Sequence, residues 1–194
     1  MLPHLRADEV EAYDRHFALL RDWNQRMNLV SRKSIETSFE YHYADCLHTV
    51  DFASQYIGNR QVVDVGSGAG FPGVIFAIRF PSQRIRLFEK IGKKRLFLAE
   101  AVTRLELKNV EMAPTLDGQG ANVFMFARAV FPPDELFRFA RRSLARGSRF
   151  VLNRAGEQAK RPTTPKGFLV LGEHHYELPL NAGKRSAFVI ECST

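Results

Sequence analysis

Gln-Val-Val-Asp-Val-Gly-Ser-Gly-Ala-Gly-Phe-Pro-Gly, residues 61–73, reads as one buried strand running into one tight loop. Val62, Val63 and Val65 form a short β-branched run, the pattern of a strand covered on both faces of a parallel sheet rather than of an edge strand. Gly66, Gly68 and Gly70 follow at alternate positions. Lacking a Cβ, they let the backbone turn with positive φ and approach a ligand more closely than any side chain would permit. The apolar run 74–78 then opens a helix whose free N–H groups point into the loop.

The spacing narrows the ligand. A dinucleotide fingerprint needs glycine at its first, third and sixth positions, and the sixth here is Phe71, which sets an NAD-dependent enzyme well behind. No Gly-Lys-Ser/Thr follows, so the loop is not a phosphate loop. Asp64, two residues before the first glycine, would repel a pyrophosphate and suit a cationic ligand. The combination resembles the S-adenosylmethionine loop of class I methyltransferases. A second short strand, 85–89, ends on Glu89 roughly 20 positions past the loop, where an acid can accept both ribose hydroxyls of a nucleoside.

Several motifs resemble one bacterial family, glucose-inhibited division protein B. They are the Val-Asp-Val-Gly-Ser-Gly-Ala-Gly-Phe-Pro-Gly loop, Glu89 followed by Gly92-Lys93-Lys94-Arg95 and Phe97-Leu98, Leu107-Lys108-Asn109-Val110, and Ala127-Arg128-Ala129. The resemblance extends upstream to Trp23-Asn24, Asn28-Leu29, His42 and Asp45, and downstream to Gly183-Lys184-Arg185, so it spans most of the chain. It implies a 16S ribosomal RNA guanine-N7 methyltransferase using S-adenosylmethionine. On that implication Gly66, Gly68, Gly70 and Phe71 form the methionine-side loop beside Asp64. Glu89 accepts the ribose, Arg128 lies at the cofactor pocket, and the His42/Asp45 pair faces it. The chain departs from the family after the third strand: where the family has Arg-x-Glu, it reads Thr115-Leu116-Asp117-Gly118, with Asp117 the acid available to stand in. Asn122 replaces the acid opening the fourth strand, and a lysine near the fifth is replaced around Asn153-Arg154.

The 194 residues allow one domain with a full core. Net charge is +7, which fits a polyanionic partner without identifying one. Cys46 and Cys192 are far apart and form neither a disulfide framework nor a metal spacing, so a reducing cytoplasm is the simple reading and no metal is expected. No apolar run approaches the ~18 residues of a membrane span, so no membrane partner is expected.

Val10, Tyr13, Phe17, Leu20, Trp23 and Met27 recur at helical spacing, and Ser34 is an N-cap for a second helix running through Phe39, Tyr43 and Leu47 to Phe52. His42 and Asp45, three apart, share a face of that helix. Residues 1–58 therefore read as an N-terminal helical cap and 59–194 as the binding core. Strands are expected at 61–65, 85–89, 110–113, 123–127, 149–153, 168–171 and 187–191, with helices at 72–80, 93–105 and 133–144. The alternation predicts an α/β fold of the class I methyltransferase, Rossmann-like type: a doubly wound, mostly parallel sheet whose last two strands pair antiparallel at one edge.

Guanine N7 carries a free lone pair, so its methylation needs alignment and no general base. The cysteine-based chemistry of cytosine C5 finds no matching thiol, and Phe131-Pro132-Pro133-Asp134 lacks the Asp/Asn-Pro-Pro-aromatic of amino-group enzymes. The expected partner is 16S rRNA or the small ribosomal subunit, met by Lys90, Lys93, Lys94 and Arg95, with a second arginine group at Arg138, Arg141, Arg142, Arg146 and Arg149. Two alternatives stay open: a catalytically degenerate, ribosome-associated binding module, and a methyltransferase of a small molecule.

Overall fold

The computed structural model describes residues 4–31, 35–37, 39–113 and 122–193. A seven-stranded sheet runs through it in the order β3-β2-β1-β4-β5-β7-β6. The strands are β1 (Gln61–Val65), β2 (Ile85–Phe88), β3 (Val110–Ala113), β4 (Val123–Phe126), β5 (Arg149–Ala155), β6 (Phe168–Leu178) and β7 (Gly183–Cys192). The first five are parallel, and β7 is antiparallel to both β5 and β6. Helices α1 (Ala7–Arg26), α2 (Ala44–Ser54), α3 (Gly73–Arg79), α4 (Gly92–Arg104) and α5 (Pro133–Ser143) complete the fold, with a wide π-type turn, Phe39–Tyr43, leading into α2.

Alternation along the central strands explains the layering. Val62 of β1 and Phe124 and Phe126 of β4 join the apolar cluster built with α1 to α4. Val63, Val123 and Met125, on the other face, join the cluster built with α5. Both faces are covered, as the unbroken apolar runs predict. On the first face, Arg79 of α3 donates to both carboxylate oxygens of Asp51 at 2.8 and 2.9 Å and to Glu9 of α1 at 2.9 Å, tying three helices together. Glu9 is fully buried and also accepts the Arg6 backbone N–H at 2.7 Å, closing the start of α1.

The structure differs from the expectation at both ends. Ile35 and Glu36 are helical, the wide turn follows at Phe39–Tyr43, and regular helix runs from Ala44; the expected N-cap Ser34 lies outside the described residues. At the other end β6 and β7 form a hairpin about twice as long as the apolar runs indicated, because their distal halves, including Glu173, His174 and His175, are polar and half exposed.

Candidate functional site

Strand order reverses between β1 and β4, which pair with each other while β2 continues on the far side of β1. Crevices at such a point, beyond the carboxyl ends of the strands, are where open α/β sheets hold ligands. Here the chain leaves β1 through Gly66, Gly68 and Gly70, all at positive φ, and leaves β4 through Arg128 and Ala129. A cavity of about 810 Å³ opens between them.

Register assembles the near wall. Val65 pairs with Phe88, so the next residues, Gly66 and Glu89, emerge side by side. The Glu89 carboxylate, 5% exposed, accepts the Gly68 N–H at 3.0 Å and the Ile91 N–H at 2.9 Å. Each oxygen keeps a lone pair for a further donor. A Cβ on Gly66 would overlap the Val130 side chain, so this position stays glycine for space as well as for φ. Asn24 shapes another side: its Oδ1 accepts the Leu29 and Val30 N–H groups at 2.9 and 3.0 Å, holding those residues and Ser31 against the cavity.

Arg128 forms the floor with the helical segment before α2. Its Nε and Nη2 donate to Asp45 Oδ2 at 2.9 and 2.8 Å, a two-pronged ion pair. The other Asp45 oxygen accepts the Tyr176 hydroxyl from β6 at 2.7 Å. His42 lies 3.4 Å from the Arg128 guanidinium through Nδ1 and stacks on Phe71 with ring centroids 5.0 Å apart. His42 and Asp45 thus meet through Arg128. Burial first, then the Arg128 charge, depress the His42 pKa to about 4, so the ring is neutral at pH 7. A guanidinium can only donate, so Nδ1 accepts and the ring proton sits on Nε2, a buried atom with no hydrogen-bond partner among the described residues.

Other residues singled out by the sequence fall elsewhere. Asp64 is fully buried beneath the loop and is not part of the cavity wall; its Oδ2 accepts the Gly73 N–H at 3.1 Å, pinning the start of α3 to β1. Burial pushes its pKa up to about 7. Gly70 faces Val74 and His16 instead of the cavity. Asp117, with Thr115–Gly118 around it, lies outside the described residues. Lys90 and Lys94 line the cavity, and Lys93 is exposed and not part of its lining. Arg95 is partly spent on structure, donating to the Glu89 and Lys90 carbonyls at 3.1 and 2.8 Å. Of the second arginine group, Arg149 sits at the amino end of β5, away from the crevice, paired with Glu191 at 2.9 Å.

Sequence reading missed the far wall: Val130 and Phe131 after β4, and Glu135, Phe139 and Ser143 of α5. It also missed Tyr176, 131 positions from its partner Asp45. Burial pushes the Cys46 thiol up to about 12 and Cys192 to about 11, so neither is a ready nucleophile. Among the described residues no group of three or more His, Cys, Asp or Glu side chains is placed to hold a metal, and no helix is long and apolar enough to cross a membrane.

The family model of GidB, rRNA small subunit methyltransferase G, matches residues 9–186. The ribosomal RNA small subunit methyltransferase G of Halorhodospira halophila is 32% identical over 194 residues, covering 97% of this chain and 90% of that protein. Its counterpart in Bacteroides fragilis is 32% identical over 147 residues, 74% of this chain and 70% of that protein. Among solved structures, a SAM dependent methyltransferase from Aquifex aeolicus shares the fold at TM-score 0.54 and 14% identity, covering 90% of this chain and 98% of that one. A mutant of MtNAS in complex with S-adenosylmethionine does so at TM-score 0.58 and 17% identity, covering 95% and 76%.

Proposed function

From the premise that this chain belongs to the rRNA small subunit methyltransferase G family, we propose that it transfers a methyl group from S-adenosylmethionine to N7 of a guanine in 16S rRNA, in the cytoplasm, with 16S rRNA or the small ribosomal subunit as its partner. The chain is an S-adenosylmethionine-dependent rRNA methyltransferase. The guanine-N7 part of this reading rests on the family, and the cofactor part on one observation above all: β-sheet register sets a carboxylate with free lone pairs, Glu89, beside a glycine loop at the switch point, in one cavity with Arg128.

The residues present fit the cofactor. Glu89 can accept two ribose hydroxyls, and the bare backbone at Gly66 and Gly68 admits a ligand closely. S-adenosylmethionine supplies an electrophilic methyl on a positively charged sulfur. The protein's part is placement. Guanine N7 has no proton to remove, so no base is required, and His42 at the cavity floor is neutral. Arg128, whose Nε and Nη2 are held by Asp45 and the Tyr41 carbonyl, brings its positive charge and the Nη1 side of its guanidinium to the floor for an anionic group. Lys90, Lys93 and Lys94 supply positive charge at the mouth for the RNA backbone. Residues 1–58 are the helical cap in this reading, contributing His42, Asp45 and the 29–31 wall to a core of residues 59–194.

Two measurements test the proposal. Calorimetric titration with S-adenosylmethionine should give binding that Glu89→Ala weakens by about a hundredfold, as expected for losing two hydrogen bonds to a charged acceptor. Incubation with labelled cofactor and small ribosomal subunits should yield 7-methylguanine in 16S rRNA; a different methylated base would refute the N7 assignment.

A further inference from the structure

The cavity has two ends, and only one is accounted for by the cofactor. Around Glu89 lie the glycine loop and the start of α4; beyond Arg128 the wall passes to Val130, Phe131, Glu135 and Phe139. Phe131 and Phe139 stack on each other with centroids 4.8 Å apart, giving this end an aromatic face. Glu135, in the first turn of α5, is another carboxylate on the cavity wall and differs from Glu89 in being uncommitted: among the described residues its charged neighbour is Arg138, at 4.0 Å on the exposed helix surface. Asp45 and Asp64 are each bonded within the protein and do not line the cavity.

A half-exposed carboxylate at the edge of an aromatic face selects among the RNA bases. Guanine alone presents two adjacent donors, N1–H and the exocyclic amino group, on its Watson–Crick edge, and a carboxylate accepts both in parallel. Adenine, cytosine and uracil each place an acceptor within that pair. Bases treated by enzymes of this kind are unstacked and read on that edge between apolar or aromatic side chains. N7 lies on the opposite side of the purine from N1 and the amino group, so a guanine held this way keeps N7 free for alkylation.

We propose that Glu135 is the residue that selects guanine, accepting N1–H and the 2-amino group while Phe131 packs against the base. This rests on the guanine-N7 reading above. The test compares the full-length wild type with Glu135→Ala and Glu135→Gln. The substrates are two 16S rRNA fragments, each offered free and assembled into small subunits, one with guanosine at the position that the labelled-cofactor experiment identifies and one with inosine, which keeps N7 and N1–H but lacks the amino group. Wild type should methylate the inosine fragment roughly tenfold more slowly, one charged hydrogen bond being lost. Glu135→Ala should methylate both at one reduced rate, with Glu135→Gln intermediate and the affinity for S-adenosylmethionine unchanged in both variants. If Glu135→Ala keeps the wild-type preference for guanosine, the assignment is overturned while guanine-N7 methylation stands. If wild type modifies an atom other than guanine N7, both fall.

Discussion

Asp45 shows how one side chain can hold a site without lining it. It is 4% exposed and divides its two oxygens between Arg128 and Tyr176, so the floor of the cavity, the start of α2 and the edge hairpin are fixed against one another by a single carboxylate. Replacing it with alanine strands a largely buried guanidinium and a buried phenol together. Breaking such a pair from one side costs about 3 kcal/mol, far more than an exposed ion pair is worth. Asp45→Ala should therefore lower the unfolding free energy by about that amount in urea titration. It should also cost more in methyl transfer than in cofactor affinity, since Glu89 and the loop are untouched. Asp45→Asn keeps one acceptor for Arg128 and should recover part of both. An Asp45→Ala protein as stable as wild type would show that Arg128 finds water or another partner at no cost. The chemical point is that a pairing partner, not the pocket residue itself, fixes the plane of the guanidinium.

At the scale of elements, the β1–loop–α3 unit carries the site, and its local rules are strict. Gly66 turns at φ +73 with its α-carbon against Val130. Gly66→Ala introduces both a left-handed backbone cost of about 1 kcal/mol and an overlap worth about another 1–3 kcal/mol. Urea unfolding should show the sum, and adding Val130→Ala should return only the steric share. This unit was legible in sequence because everything that defines it is within a dozen residues: a β-branched run, alternate glycines, an apolar helix start. The position of Glu89 beside the loop was legible for the same reason, since one short helix and register fix where it falls. The far wall was not. Glu135 and Phe139 read as an ordinary amphipathic helix, and nothing in that helix states which of its edges will close a cavity built by β1 and β2. Tyr176 lay hidden in a polar half-strand, Gly172 to Leu178, whose pairing with β7 rather than its own apolar content makes it a strand. Asn109, singled out only as part of a family-like motif, serves the fold instead of the cavity. Its amide donates to the Ala77, Phe80 and Gln83 carbonyls at 3.0–3.2 Å, closing the turn between α3 and β2.

Across the whole molecule, the buried titratable groups set how stability follows pH. His16, His42 and His48 are each held neutral, their pKa values pushed down to about 4 with burial the leading cause. His174, which contacts the His48 ring at 3.3 Å, shifts the same way. Between pH 4 and the unfolded histidine value of 6.5, the unfolded chain binds these protons and the folded chain refuses them, so stability rises with pH through that window. Asp64 acts in the opposite sense. Its folded pKa of about 7 lies above the unfolded 3.8, so the folded state holds a proton the unfolded state has lost, and stability falls with pH between those values. Four histidines against one aspartate leave the unfolded chain binding more protons than the folded one in this window, so the histidines set the sign of the slope. Urea unfolding free energies should accordingly climb from pH 4.5 to about 6.5 and then level or dip slightly until Asp64 ionises near 7, where its contribution ends. His48→Gln should flatten the histidine-driven climb, because one refused proton is gone and the neighbouring His174 loses a ring contact. Asp64→Asn should instead steepen the climb and abolish the dip above pH 6.5. A stability curve that fell between pH 4.5 and 6.5 would mean that these imidazoles are charged in the folded protein, and with a charged His42 the cavity floor would hold two adjacent cations instead of one guanidinium beside a neutral donor.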